Sequence, residues 1–235
     1  MKSLLLIPSI IMASGCTPET IIASKEITTR EYSFASYSAI EIHDNFNVYL
    51  SFSESEEKFK VRANENLHSY IKTTQVGNKV IVKLDDVHRI MGNETLNIYI
   101  TTKAINDIKI DGNTHISVAD LVSSSNVKLE LMGNCSIIGS VNVEQMDLMA
   151  TANCMVDLSG NIGTLNAKVV ANSDLSDYCL TIGDLNIDLS GNSNAHLTVI
   201  NTITIEASGN SILYYKGNPT IRRQNLTSNA KIIKV

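Results

Sequence analysis

An asparagine recurs seven times in the C-terminal half of the chain, at Asn113, Asn134, Asn153, Asn172, Asn192, Asn210 and Asn229. The spacings are 21, 19, 19, 20, 18 and 19 residues. A small residue precedes each one (Gly112, Gly133, Ala152, Ala171, Gly191, Gly209, Ser228), and another follows (Thr114, Cys135, Cys154, Ser173, Ser193, Ser211, Ala230). A period near twenty residues predicts a stacked array, because one unit of that size cannot bury an apolar face alone. Asn tolerates the left-handed backbone region better than other non-glycine residues, and small neighbours let the chain bend, so the asparagine is expected to make a sharp corner. With coils about 4.8 Å apart, identical Asn side chains would bond amide to amide and form a structural ladder.

Parity around each corner predicts strands. Leu185, Ile187 and Leu189 alternate with Asn186, Asp188 and Ser190, and the alternation resumes with Ala195 and Leu197 beyond Asn192. Three residues before each Asn stand Ile110, Leu131, Ala150, Val169, Leu189, Ala207 and Leu226. Three after stand Ile116, Ile137, Val156, Leu175, Ala195, Leu213 and Ile232. Each unit therefore reads as strand, corner, strand and a second, looser turn. Parallel crossovers are overwhelmingly right-handed, so the expected fold is all-β: a right-handed parallel β-helix over residues 105–235, with coils of about nineteen residues.

The rest of the chain is less regular. Residues 1–16 read as an export signal: Lys2, an apolar run from Leu4 to Met12, then Ala13-Ser14-Gly15-Cys16. That ending resembles a bacterial lipoprotein signal, which implies acylation at Cys16, and the apolar run falls short of the ~20 residues of a membrane span. Residues 17–31 are polar and suit a tether. Residues 32–104 alternate without the asparagine corner (Phe46, Val48, Leu50, Phe52; Val80, Val82, Leu84), and are expected to cap the array or to add less regular coils.

Tyr37-Ser38-Ala39-Ile40, Phe46-Asn47-Val48-Tyr49-Leu50, Ala63-Asn64-Glu65-Asn66-Leu67, the repeated Ser-Gly-Asn-Ser and Tyr215-Lys216-Gly217-Asn218-Pro219 follow one another in a characteristic order. Together they resemble the putative auto-transporter adhesin head GIN domain family, common in Bacteroidetes, over residues 32–235. The resemblance implies a β-helical lipoprotein of the cell envelope. It supplies no catalytic or ligand-binding residues.

Composition narrows the function. A net charge of −5 without a Lys/Arg stripe argues against nucleic acid. Trp is absent, and of Tyr214 and Tyr215 alternation leaves at most one facing outward as a sugar platform. Cys135, Cys154 and Cys179 are odd in number, and Cys135 and Cys154 occupy equivalent positions on neighbouring coils, where buried thiols are expected rather than a disulfide. His115 and His196 would lie four coils and roughly 19 Å apart; His43 beside Asp44, and His88 beside Asp85 and Asp86, suit solvated loops. No metal or cofactor is expected.

One carboxylate pair bears weighing. Asp188 and Glu206 share a column with Lys109, Glu130 and Lys168, and adjacent coils would bring them near the ~5–5.5 Å of a retaining glycosidase. Following Lys168, the pair also reads as part of a charge ladder on an open face. The expected function is adhesion or ligand binding by a lipid-anchored protein, its partner an envelope protein or a glycan, placed on the outer membrane. A polysaccharide lyase or hydrolase and a purely structural scaffold are the rival readings.

Overall fold

The computed structural model describes residues 20–85 and 89–235, so the export signal, Cys16, Asp86 and His88 lie outside the described residues. The N-terminal part holds β1 (Thr20–Ile22), β2 (Ile27–Tyr32), β3 (Ala39–Ile42), β4 (Asn47–Phe52) and β5 (Lys58–Asn64). A 3-10 turn (Glu65–Ser69) follows, then β6 (Ile71–Val76), β7 (Lys79–Leu84), β8 (Arg89–Met91) and β9 (Leu96–Thr102). The array itself runs through β10 (Asp107–Gly112), β11 (His115–Gly133), β12 (Ser136–Ala152), β13 (Met155–Ala171), β14 (Asp174–Gly191) and β15 (Asn194–Ala207). It closes with β16 (Ile212–Lys216), β17 (Thr220–Leu226) and β18 (Lys231–Lys234).

Successive coils pair in parallel and in register, Val169 opposite Leu189 and Leu189 opposite Ala207. The result is the expected right-handed parallel β-helix of about nineteen residues per coil. The columns three before and three after the asparagines point inward; Leu131, Ala150, Val169 and Leu189 are fully buried, as are Val156, Ala195 and Leu213. One hydrophobic cluster runs unbroken from Ile21 to Leu213. The second turn is not a loop. β11 to β14 run through it as continuous strands, and the pairing register slips there, for example between Val156 and Gly160. At Gly160 (φ 106°) a Cβ would meet the Val141 carbonyl oxygen at 2.1 Å.

The corners bend one residue earlier than expected. The left-handed conformation belongs to the residue before each asparagine: Gly112, Gly133, Ala152 (φ 88°), Ala171 (φ 71°), Gly191, Gly209 and Ser228 (φ 60°). The asparagine backbone N–H then bonds the preceding coil, as Asn153 N to Gly133 O at 2.8 Å. Its side chain is left free to point along the stack.

Residues 32–104 also carry a corner, contrary to the sequence reading. Asp44 (φ 72°) precedes Asn45, and Asn113 donates its side-chain amide to Asn45 Oδ1 at 3.0 Å. β3 and β4 flank this corner and pair in parallel with β10 and β11, so they form a true coil. The signal was hidden because Phe46, fully buried, stands where the other corners have a small residue, and residues 53–105 interrupt the period. Beyond this coil β7 and β9 are the last strands added in parallel to the main sheet. β6, and β5 with β2, then pair antiparallel and cap the open end.

The tether expected over 17–31 is corrected from residue 20 onward. β1 pairs with β8 and β2 with β5, so this segment belongs to the cap. Two asparagines of the Ala63-Asn64-Glu65-Asn66-Leu67 element fix it there. Asn66 donates to Ile22 O (2.8 Å) and accepts from Ser24 N (2.9 Å). Asn64, buried, donates to Ser24 O (2.7 Å) and Asn93 O (3.1 Å) and accepts from Thr95 N (2.7 Å).

Candidate functional site: the outer faces of the coils

The asparagine ladder is continuous. Asn134 donates to Asn113 (2.8 Å), Asn153 to Asn134 (2.7 Å), Asn172 to Asn153 (3.1 Å), Asn192 to Asn172 (3.0 Å), Asn210 to Asn192 (3.0 Å) and Asn229 to Asn210 (3.0 Å). Each inner amide spends one donor hydrogen and one oxygen on its neighbours. Inside the corner a second column clips the turn: Ser193 Oγ donates to Ser190 O (2.8 Å), Ser211 Oγ to Ser208 O (2.6 Å). Cys135 Sγ and Cys154 Sγ take the same place, donating to Met132 O (2.8 Å) and Thr151 O (3.1 Å). These are free, buried thiols acting as weak hydroxyl substitutes. The hydrogen bond to Cys154, together with burial, pushes the Cys135 thiol up.

Asp188 and Glu206 are register partners on the outer face of β14 and β15, and Lys168 precedes them in the column. Each carboxylate faces its own cation: Asp188 lies 3.9 Å from Lys168 Nζ, and Glu206 2.7 Å from Arg223. Their side chains are about half exposed, at 49% and 51%. Solvent and a cation thus border each of the two groups. Met149 fills the gap in the column between Glu130 and Lys168.

Two residues along the same strands runs a second outward row that the sequence reading did not single out. Asn166 donates to Asp147 (2.8 Å) and Asn186 to Asn166 (2.9 Å). Its sequence signal is the same nineteen- to twenty-residue spacing, six residues before each corner. Between the two rows lies a shallow groove of about 400 Å³ that follows the solenoid axis, bordered by Lys128, Asp147, Asn166 and Asn186 on one side and by Glu130 and Asp188 on the other. Its walls carry a polar or charged side chain at each coil, with Met149 as an apolar interruption, and no aromatic ring.

The next sheet carries aromatic side chains on its outer face, stacked along the axis. Tyr49 lies on Tyr99 at 4.9 Å, and His196 on Tyr214 at 4.7 Å with planes 3° apart. Lys216 Nζ stands 4.2 Å from the Tyr178 ring centre. Tyr214 faces outward and Tyr215 packs toward the core, as alternation requires. One face of the Tyr214 ring is already covered by His196, so it does not offer an open platform.

His115 and His43 have structural surroundings. His115 Nδ1 bonds Ser136 Oγ at 2.7 Å. His43 turns to Glu41 (3.0 Å) rather than to Asp44, whose carboxylate accepts from Leu84 N (2.8 Å). Glu41 is the centre of an ion-pair cluster missed in the sequence, because Lys79 (2.9 Å) and Lys109 (3.2 Å) come from distant strands. Burial alone would raise its carboxyl; hydrogen bonds from Lys79, Lys109 and His43 outweigh burial and hold it down to about 2. Among the described residues no three His, Cys, Asp or Glu side chains are grouped to hold a metal ion.

Comparison with known proteins gives a consistent picture. The model of the family described as putative auto-transporter adhesin, head GIN domain, matches residues 36–219. A crystal structure described as a putative adhesin from Bacteroides fragilis NCTC 9343 superposes with a TM-score of 0.80 at 18% identity, covering 92% of this chain and all of its own. A putative adhesin from Parabacteroides merdae ATCC 43184 gives 0.71 at 12% identity, covering 92% and 99%. A structure described as a putative lipid binding protein from Parabacteroides distasonis ATCC 8503 gives 0.71 at 12%, covering 92% and 100%. Among curated proteins nothing matches. At these identities the likeness concerns the fold.

Proposed function

The chain belongs to the head GIN domain family of putative auto-transporter adhesins, and from that premise we propose that it is a lipid-anchored envelope protein that binds a glycan or an envelope protein along the side of its solenoid, without catalysing a reaction. The groove between the Asp147–Asn166–Asn186 row and the Glu130–Asp188 row carries this reading. At least one of its two rows carries a polar or charged side chain at each coil, although the sets differ and Met149 interrupts one row, which suits a long partner held at many weak points. The adhesin descriptions of similar folds agree with a binding role. Acylation of Cys16 would place the protein on the outer membrane. Asp188 and Glu206, half exposed and each facing a cation, support the non-catalytic reading.

The test uses the purified chain against a panel of neutral and acidic polysaccharides and an envelope-protein extract, scoring both retention and cleavage. Retention without cleavage is expected, and Asn186→Trp, which places a ring in the groove, should abolish it. Cleavage that disappears in Asp188→Asn would replace this reading with the enzyme. Retention untouched by Asn186→Trp would move the binding surface elsewhere.

A further inference from the structure

We propose that Ile22 and Met91 form a lipid-contacting patch that seats the capped end of the solenoid directly on the bilayer surface. The two residues are register partners in the parallel β1–β8 pair and are 74% and 48% exposed. Ile27, at the start of β2, is exposed as well. Their neighbours Ile21 and Ile90 turn the other way and pack on the core. The patch sits on a fixed backbone: Ala23 N bonds Met91 O at 2.9 Å, and Asn66 grips both sides of Ala23.

The bilayer is identified as the occupant by the length of chain that separates the patch from the anchor. Only three residues, 17–19, lie between Cys16 and Thr20. At ~3.3–3.6 Å per residue they span no more than about 14 Å. A lipid on Cys16 therefore draws β1 to the headgroups, and this proposal rests on that anchor reading. In sequence, the nearest described charges on either side, Lys25 and Glu26, Arg89 and Glu94, are equal in number and opposite in sign, so the proposed contact is an apolar one that needs no anionic lipid. The acyl chains supply the attachment; the patch sets the orientation. With the cap on the membrane the coils rise away from it. The Asn229 corner then stands seven coil steps beyond Asn45, roughly 34 Å at ~4.8 Å per step.

The chain contains no Trp, which makes the test direct. Ile22→Trp and Met91→Trp are introduced singly into the full-length, native chain and reconstituted into phosphatidylcholine vesicles whose acyl chains are brominated. Ile200→Trp, at a position 56% exposed on β15, is the control. All three sites are exposed, and melting curves matching the parent check that the variants are folded. We expect emission from the Ile22→Trp and Met91→Trp chains to fall about twofold or more relative to unbrominated vesicles, as for a ring buried ~5–10 Å into the interface, and that of Ile200→Trp to stay unchanged. Chains with acylated Cys16 that float with vesicles yet show no quenching at either site overturn the patch and leave the anchor standing. An unmodified Cys16 in the mass spectrum of the native protein overturns both.

Discussion

Asn113 reaches back across 68 residues to donate its side-chain amide to Asn45, at 3.0 Å. This bond joins the irregular N-terminal part to the regular coils and makes the ladder eight asparagines long. The residue beside each asparagine bends the chain, and the asparagine ties one bend to the next. Backbone and side chain thus divide the work of the corner, which explains why both positions recur.

Removing a rung should therefore weaken two coils at once. Asn172→Ala loses the bonds to Asn153 and Asn192. At roughly 0.5–1.5 kcal/mol net per hydrogen bond, and with both exposed to solvent, a loss of about 1–2 kcal/mol is expected. Urea unfolding measures it. A change below about 0.3 kcal/mol would mean that the ladder is an ornament of the corner and not a support.

The bend itself offers the opposite experiment. Ala152 holds φ at 88°, a conformation that costs a non-glycine residue about 1–2 kcal/mol. Ala152→Gly relieves that strain against the ~0.5–1 kcal/mol of extra chain entropy that glycine loses on folding. A gain of about 0.5–1 kcal/mol is expected. Gly133→Ala, one coil earlier, should cost about 1–3 kcal/mol, because its Cβ would meet the Gly112 carbonyl oxygen at 2.5 Å. Thermal melts that order the two variants the other way would show that the corner does not control stability.

The array was legible in the sequence because every coil repeats one pattern on one backbone. Inward parity, the asparagine period and the Asp188–Glu206 column could be read by counting. The cap could not. Asn64 and Asn66 act through contacts with Ile22, Ser24, Asn93 and Thr95, and antiparallel pairing such as Phe59 with Tyr32 has no fixed spacing to betray it. Glu41 was invisible for the same reason: Lys79 and Lys109 lie 38 and 68 residues away. The corner at Asn45 escaped because Phe46 breaks the small-residue rule where the last coil meets the cap.

Inside and outside of the coil should differ sharply under mutation. Leu189 is fully buried, and Leu189→Ala should cost about 2–5 kcal/mol. Its neighbour Asp188 is half exposed and makes a long ion pair with Lys168, so Asp188→Ala should stay within about 0.5 kcal/mol. Chemical denaturation of the two variants decides. Equal losses would contradict the assignment of faces.

Acid should loosen the junction between cap and coils before it unfolds the array. The Glu41 carboxyl is held at about 2 in the folded chain, below its ordinary 4.5, because Lys79, Lys109 and His43 all bond its charged form. A depressed carboxylate contributes stability above its unfolded value, and loses it as pH falls toward the folded value. Its share should therefore be intact at pH 5 and fade between about 4.5 and 2. Because β3, β7 and β10 supply the partners, hydrogen exchange in these strands should rise over that range ahead of β13 and β14. Glu41→Gln removes the titrating charge, so its β3 and β7 amides should already exchange faster at pH 5 and respond less to acid. A variant as acid-sensitive in those strands as the parent would assign the effect to other carboxylates.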